Sequence, residues 1–154
     1  MDELKLADYF AGLHREAIEA GRLDAVSARA LDMETGTIVW LSDWTLTKVG
    51  FRHSEITYQH YLKVPTILRE GFVLRGRKGR GLEFYWIEGW ERTQHGYCLC
   101  VKRTKARDVY VTTFHPIHSN EVRRKYRGAE RKGLLIRPLK TESAQRLRRG
   151  ADHV

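Results

Sequence analysis

The chain has 154 residues, a formal net charge of +9 and a pI near 9.8. This length fits one domain with a buried core, and no apolar run reaches the ~20 residues of a membrane-spanning helix. The acidic, amphipathic start of the chain does not have the pattern of a secretory signal. Cys98 and Cys100 stand two apart on one predicted strand, a poor spacing for a disulfide, so we expect a reducing, cytoplasmic setting.

Charge is distributed unevenly along the chain. Residues 1–47 hold four Lys/Arg against nine Asp/Glu, residues 48–118 hold thirteen against six, and residues 119–154 hold eleven against four. A basic body threaded with aromatic side chains favours a polyanionic partner, with nucleic acid ahead of a membrane. A solvated basic surface without a partner stays open as the alternative.

The first third of the chain is predicted to be mainly helical. Apolar residues at helical spacing over residues 4–20 indicate an amphipathic helix, which Gly21 ends. A shorter helix is predicted over residues 23–33. The β-rich run at residues 37–41 follows a turn and reads as a strand.

Two further helical stretches precede the predicted sheet. The first covers residues 44–49 and should end at Gly50. Thr57 is a suitable N-cap for residues 58–70, and Pro65 within this stretch predicts a kink or two short helices.

From residue 72 the apolar period becomes alternating. Strands are predicted over residues 72–75 and 82–90, and residues 96–118 have two alternating runs around a charged turn, the pattern of a hairpin. Strict alternation places Tyr110, Thr112 and Phe114 on one face of the second run. The consecutive residues Thr112 and Thr113 then point to opposite faces, so only one of them can line a site. Thr112 is preferred.

The remaining chain returns mainly to helix. Helices are predicted over residues 121–126 and 141–149, with an edge strand at residues 134–136 between them. The sequence thus predicts an α+β fold: N-terminal helices packed on one face of a four-stranded antiparallel sheet, followed by a basic helical tail. Residues 1–127 form the single domain of this prediction, and residues 128–154 form a basic C-terminal extension.

Two motifs contain residue types that are common in ligand sites. The loop GRKGRG lacks the spacing of a phosphate-binding P-loop and is interpreted as a basic flap that lays cations on a phosphate backbone. An ordinary charged hairpin loop is the alternative. The second motif consists of Cys98, Cys100, His115 and His118. The spacing of these residues matches no common zinc site, so we expect buried cysteines, no metal and no cofactor.

The remaining polar residues are of the types that cleave RNA without a metal. A base takes the 2′-hydroxyl proton, an acid protonates the departing 5′-oxygen, and cations stabilise the phosphorane. Histidine suits both proton roles because its ordinary pKa lies near neutrality. The candidates are Lys48, His53, His60, Lys102, Thr112, Thr113 and His115.

A family likeness points the same way. Residues 39–74 resemble the helical half of the phage-associated barnase–EndoU–colicin–RelE (BECR) nuclease domains, and residues 96–116 resemble their closing strands. The matching positions are Ser42, Thr45, His53, Tyr61, Thr113, Phe114 and His115.

The resemblance covers about residues 37–127. It implies helices followed by a four-stranded antiparallel sheet, and metal-independent RNA cleavage by His53 together with the strand end at residues 112–115. Lys48 departs from the pattern, since a histidine is expected at or near that position.

The sequence therefore predicts a metal-independent endoribonuclease of phage or prophage origin that acts on RNA in the bacterial host cytoplasm. A cognate inhibitor or a phage partner protein is a candidate partner beside RNA, and the sequence does not decide whether such an inhibitor exists. The alternatives are a nucleic-acid-binding phage protein without catalysis and an interaction protein that docks through its basic tail. In the enzyme hypothesis, His53 and His115 act as the acid and the base. Lys48 and Lys102 stabilise the negative charge of the phosphorane, and Thr112 or Thr113 binds a phosphate oxygen.

The same hypothesis assigns further residues to RNA binding. Tyr85 or Tyr110 stacks on a base, and four cations bind the RNA backbone: Arg75, Arg77, Lys78 and Arg80.

Overall fold

The computed structural model describes residues 1–77, 79–91 and 94–151. Within these ranges the helices are α1 (Glu3–Phe10), α2 (Ala25–Ala30), α3 (Asp43–Arg52), α4 (Tyr58–Tyr61), α5 (Val64–Glu70), α6 (Ser119–Lys132) and α7 (Thr141–Ala151). The strands are β1 (Ile18–Arg22), β2 (Ile38–Leu41), β3 (Phe72–Arg75), β4 (Gly81–Ile87), β5 (Gly96–Arg103), β6 (Val109–Ile117) and β7 (Leu135–Arg137). A 3₁₀ turn at Glu88–Trp90 follows β4. None of the described helices has the length and apolar character needed to span a bilayer.

The strands form one mixed seven-stranded sheet in the order β1-β2-β6-β5-β4-β3-β7. β2 pairs with β6 in parallel, and the other neighbours pair antiparallel. The α+β class agrees with the prediction, but the predicted four-stranded antiparallel sheet is wrong. The four predicted strands are its centre, β6-β5-β4-β3, and three more strands extend it on both sides.

Helices cover both faces of the sheet, not one as predicted. On the first face, the Tyr61 ring of α4 lies 5.1 Å from the Phe114 ring of β6, measured between centroids. On the second face, the Tyr126 ring of α6 meets the Phe72 ring of β3 at 5.0 Å. Phe72 pairs in register with Tyr85 of β4, whereas Phe114 pairs with Leu99, which in turn pairs with Phe84 of β4. Because Phe84 and Tyr85 are consecutive residues of one strand, their side chains point to opposite faces, and those of Phe114 and Phe72 do the same.

A β-bulge interrupts the regular alternation of β6. Cys100 of β5 pairs with Thr113, whereas the next residue, Val101, pairs with Val111, so Thr112 is an extra residue. The bulge shifts the following residues by one position, which puts Phe114 on the buried face and leaves it fully inaccessible. The predicted grouping of Phe114 with Tyr110 and Thr112 is therefore wrong.

The predicted first helix is too long. α1 ends at Phe10, and residues 18–22 form β1, in which Ile18 and Ala20 are completely buried. A two-residue period and pairing with β2 replace the helical period there. Gly21 does not end a helix: it lies in this strand at φ +152°, where a Cβ atom would come within 2.7 Å of Leu68 Cδ1.

The two helical stretches predicted directly before the sheet, residues 44–49 and 58–70, follow the prediction with one exception. Pro65 lies at the start of α5, so residues 58–70 form two short helices, as predicted. Gly50 does not end α3, which continues to Arg52. No atom lies within 4 Å of a Cβ built at Gly50, so this glycine faces open space on the helix surface.

The last 24 described residues contribute to the sheet and its covering layer. β7 is the edge strand that the sequence predicts before Pro138, and it pairs with β3. α7 packs against α6 and the 3₁₀ turn.

Arg137 of β7 joins three elements. Its guanidinium donates to Leu68 O at 2.8 Å, to Gly71 O at 2.6 Å and to Asp24 Oδ2 at 2.9 Å. It also lies over the Phe84 ring, 5.5 Å from the centroid. Because only 9 % of the residue is exposed, these bonds form away from water and fix α2 and α5 on the sheet.

Three other arginines converge on the carboxyl end of α2. Arg75 donates to Ala30 O at 2.7 Å, Arg103 to Leu31 O at 3.0 Å and Arg107 to Asp32 O at 2.6 Å. The final carbonyls of a helix have no partner within it, so guanidinium groups stabilise them. These bonds attach the ends of β3 and of the β5–β6 hairpin to α2.

We expect Arg137→Lys to lower the free energy of unfolding by about 2–3 kcal/mol, because an ammonium group cannot reproduce the planar fork of donors and leaves a buried carbonyl unpaired. Urea unfolding measures the change. Arg127→Lys, at an exposed arginine of α6, is the matched control and should leave the midpoint unchanged. Equal stability of both variants would show that the buried fork contributes nothing.

Candidate functional site

The second face of the sheet is open where α6 no longer covers it. In this face the register aligns His115 with Cys98, Thr113 with Cys100, and Tyr110 with Lys102. α6 covers the Cys98 end, where Lys125 lies over the Tyr85 ring at 5.6 Å. At the other end Lys102 is exposed, and Tyr110 and Thr113 are half-buried.

Two neighbouring pockets occupy this open end. The strand pocket has a volume of about 390 Å³, and the loop pocket beside it has about 450 Å³. The polar lining of the strand pocket is Lys48, Arg77, Glu83, Cys100, Lys102, Thr112 and Thr113. The lining of the loop pocket is Arg80, Lys102, Arg103, Thr104, Lys105, Tyr110 and Thr112.

The β-bulge brings both threonines to the strand pocket, so the expectation that only one of them lines a site is wrong. Thr113 shares the open face with Lys102 through its register. Thr112, the extra residue, donates its hydroxyl to Cys100 O at 3.2 Å and lines both pockets.

Helix α3 holds Lys48 against the edge of β6. Ser42 is the N-cap of this helix and accepts from Thr45 N at 3.2 Å. The buried Thr45 hydroxyl donates to Val111 O at 2.6 Å, and Lys48 Nζ donates to Thr112 O at 2.5 Å. Because an ammonium group has three donors, two N–H bonds of Lys48 stay available to a ligand in the strand pocket.

The same helix carries His53 to His115. His53 is the residue after the end of α3, and its ring stacks on that of His115 with 5.1 Å between centroids and 12° between planes. Glu55 Oε1 lies 3.4 Å from His53 Nδ1. Neither histidine lines the strand pocket, but His115 is two residues from Thr113 along β6.

Burial and the adjacent His53 ring lower the pKa of His115 below its usual value of 6.5, with burial the larger cause. Its Nδ1 is buried and has no hydrogen-bond partner within the described chain. His115 is therefore neutral at pH 7 and can accept a proton through its other nitrogen.

The predicted nucleic-acid contacts divide into two groups. Arg77 lines the strand pocket, and Arg80 and Tyr110 line the loop pocket. Arg75 lies on the other face of the sheet, where it pairs in register with Leu82 and binds α2. Lys78 lies outside the described residues.

Tyr85 is not placed to stack on a base. It is 3 % exposed, stacks on Phe72 with 5.3 Å between centroids, and donates its hydroxyl to Glu83 Oε1 at 2.8 Å. Burial is the main cause that raises its pKa. Strand alternation alone could not show that α6 covers this part of the face. His60, the remaining candidate, caps α4 by accepting from Thr57 N at 2.9 Å.

Sequence reasoning missed two acidic neighbours of the site. Glu83 interrupts an otherwise apolar strand, and an isolated carboxylate in such a strand is a signal that its face is open. Glu55 follows His53 by two residues in a polar connection, and nothing in the sequence predicts their contact.

Both cysteines are free thiols with 3.9 Å between their sulphur atoms. The hydrogen bond from Cys100 lowers the pKa of Cys98, and the same contact, together with burial, raises the pKa of Cys100. Within the described ranges, no three His, Cys, Asp or Glu side chains are grouped closely enough to hold a metal ion.

We expect His53→Ala to raise the pKa of His115 towards 6.5, because it exposes the ring to water and removes a neighbouring positive charge. An NMR titration of the imidazole signals measures this. His95→Ala, at an exposed histidine, should leave it unchanged. Since the folded-state pKa is lowered, the contribution of His115 to stability is complete above pH 6.5 and is lost as the pH falls through the folded-state value. An unchanged pKa in His53→Ala would contradict the contact.

No protein-family model, curated protein or solved structure matches this chain. The likeness of residues 37–127 to BECR nuclease domains stays a prediction.

Proposed function

We propose that this protein is an endoribonuclease that cleaves RNA by attack of the 2′-hydroxyl on the adjacent phosphodiester, without needing a metal ion. The observation that supports it most is the His53–His115 pair, formed by residues from different elements beside a cationic pocket. Two imidazoles near one phosphate provide the base and the acid that this reaction requires.

His115 is the base in this proposal. Its lowered pKa keeps it neutral at pH 7, so it can take the 2′-hydroxyl proton as the oxygen attacks phosphorus. His53 is the acid and protonates the 5′-oxygen as its bond to phosphorus breaks. Glu55 can accept a hydrogen bond from the His53 imidazolium. The products are a 2′,3′-cyclic phosphate and a 5′-hydroxyl end.

The cations of the strand pocket stabilise the negative charge that develops on the phosphorane. Lys48 is held at the pocket wall by its bond to Thr112 O, so little rearrangement is needed when the charge forms. Lys102 and Arg77 form no ion pair among the described residues, so their charges are available to phosphates. The Thr113 hydroxyl can donate to a non-bridging oxygen.

Incubation of total RNA with the protein in EDTA tests the reaction. We expect cleavage with 2′,3′-cyclic phosphate ends, and a loss of about 10²–10⁴-fold in rate for His53→Ala or His115→Ala, because each removes one proton-transfer group. RNA affinity should change little. His95→Ala is the matched control and should cleave at the wild-type rate. Intact RNA with the wild-type protein would contradict the enzyme proposal.

The rate of cleavage should depend on pH through His115. It should rise as His115 loses its proton, at a pH below 6.5. In His115→Ala the acidic limb should disappear from the residual rate. An acidic limb that persists there would assign the base to another group.

Binding of nucleic acid without cleavage is the second candidate function. It is favoured by exposed Arg80, Lys102 and Lys105 around the loop pocket, which form no ion pair within the described ranges. Loss of each phosphate contact should reduce the slope of log affinity against log salt by about 0.7 for single strands.

The triple variant Arg77→Ala/Arg80→Ala/Lys102→Ala should therefore bind RNA more weakly and with less salt dependence than the wild type. Exposed cations of α6 provide a control of equal charge change, Arg124→Ala/Arg127→Ala/Lys132→Ala. Equal weakening in both triple variants would contradict a local binding surface. Tight, salt-sensitive binding of intact RNA would select this function over catalysis.

A further inference from the structure

The four tryptophans divide into two groups by burial. Trp86 and Trp90 belong to the hydrophobic core and are each 5 % exposed. Trp40 of β2 is half-buried, and Trp44 of α3 is 76 % exposed. Among the described residues, the core and the side chains packed against it include neither Trp40 nor Trp44. These two rings are therefore available to a ligand.

Trp40 lies on the open second face of the sheet. It pairs in register with Tyr110 of β6, which pairs with Lys102 of β5. The preceding register pair, Val39 and Val109, is completely buried on the first face. Because side chains alternate along a strand, Trp40 and Tyr110 point to the second face, where Tyr110 and Lys102 line the loop pocket.

Trp40 and Tyr110 are direct neighbours across this face and are here called the aromatic platform. Their strands are adjacent, and neighbouring strands lie about 4.8 Å apart. Tyr110 is half-buried and, like Trp40, is not part of the core formed by the described residues. Glu19, the other register neighbour of Trp40, pairs with Arg22 at 3.3 Å, so its charge is compensated.

Exposed cations lie beside the aromatic platform. Arg80, Lys102 and Lys105 line the loop pocket together with Tyr110, and within the described ranges they form no ion pair. Rings that stack on bases, next to cations that neutralise phosphates, are the combination that binds single-stranded nucleic acid.

Trp44 adds a third ring beside the strand pocket. It precedes Lys48 by four residues, so the two side chains lie one turn apart on the same side of α3. Lys48 lines the strand pocket and donates to Thr112 O. The exposed Trp44 ring is therefore a neighbour of the cation that we assign to the reacting phosphodiester.

We propose that Trp40, Tyr110 and Trp44 stack on unpaired bases, so that the protein acts on single-stranded RNA. This inference rests on the proposal that RNA is the substrate. Cations alone would bind the phosphates of a single strand and of a duplex. The rings add affinity only for unpaired bases, because the bases of a duplex stack on and pair with each other.

Binding of 2′-O-methyl RNA to the full chain tests this substrate class, because such RNA has no free 2′-hydroxyl and resists the proposed reaction. A single strand of about twelve nucleotides should bind at least about tenfold more tightly than the same strand annealed to its complement. Equal affinity, or tighter binding of the duplex, would overturn the inference even if the protein cleaves total RNA. Tight single-strand binding without any cleavage would instead reject only the ribonuclease proposal.

Ring substitutions provide the matched comparison. Trp40→Ala and Tyr110→Ala should each weaken single-strand binding about fivefold or more, without a change in salt dependence, because no cation is lost. Trp40→Phe keeps a ring and should retain most of the affinity. Phe10→Ala removes a 44 % exposed ring that lies near Tyr61 on the first face, and it should change binding less than about twofold. Equal losses in Trp40→Ala and Phe10→Ala would overturn the inference.

The NMR signals of the four indole N–H groups locate the contact directly. The single strand should shift the signals of Trp40 and Trp44 and leave those of the core residues Trp86 and Trp90 unchanged. Unchanged Trp40 and Trp44 signals at saturating RNA would overturn the inference.

Discussion

One extra residue in β6 determines how the second face of the sheet is used. With Thr112 outside the regular register, Val111 and Phe114 both enter the core, while Thr113 and His115 face the opposite side. In a regular strand, the carbonyl groups of consecutive residues point to opposite neighbouring strands. At the bulge, the carbonyl groups of Val111 and Thr112 both point to α3, where they accept hydrogen bonds from Thr45 and Lys48. The bulge therefore couples core packing to the position of α3.

The position of α3 in turn determines which residues meet. β2 pairs with β6 only at Val109 and Tyr110, and beyond this point α3 takes the place of a neighbouring strand. Its first half is attached through Thr45 and its middle through Lys48, so the end of the helix delivers His53 to His115. Because α3 and not another strand binds the carbonyl groups at this edge of β6, the edge is lined by helix side chains. A neighbouring strand would have used the same carbonyl groups for backbone pairing.

The central strands could be predicted from the sequence because their signals are local. Alternation from residue 72 and the proline in residues 58–70 depend on neighbours a few positions away, and both predictions are confirmed. β1 could not be found in this way, because Ile18 and Ala20 gain their burial from pairing with β2. The parallel pairing of Val39 with Val109 spans 70 residues and has no local signal. The bulge did have one: the spacing of Val109, Val111 and Phe114 changes from two to three. For the candidate site, residue types selected Lys48, His53 and His115 only as members of a set of seven polar candidates. The stacking of His53 on His115, the burial of Tyr85 and the diversion of Arg75 to α2 required the tertiary structure.

The long-range pairing of β2 with β6 also sets an order of events on the ribosome. Chains grow from the amino end, and domains fold as their segments emerge. β1 and β2 can form a hairpin early, but their place in the sheet does not exist until the residues of β6 have been synthesised. His53 likewise waits for His115, which is made 62 residues later. A nascent chain that ends before residue 115 thus lacks the histidine pair even when it already contains Lys48, Arg77 and Lys102, so His53 and His115 meet only late in translation.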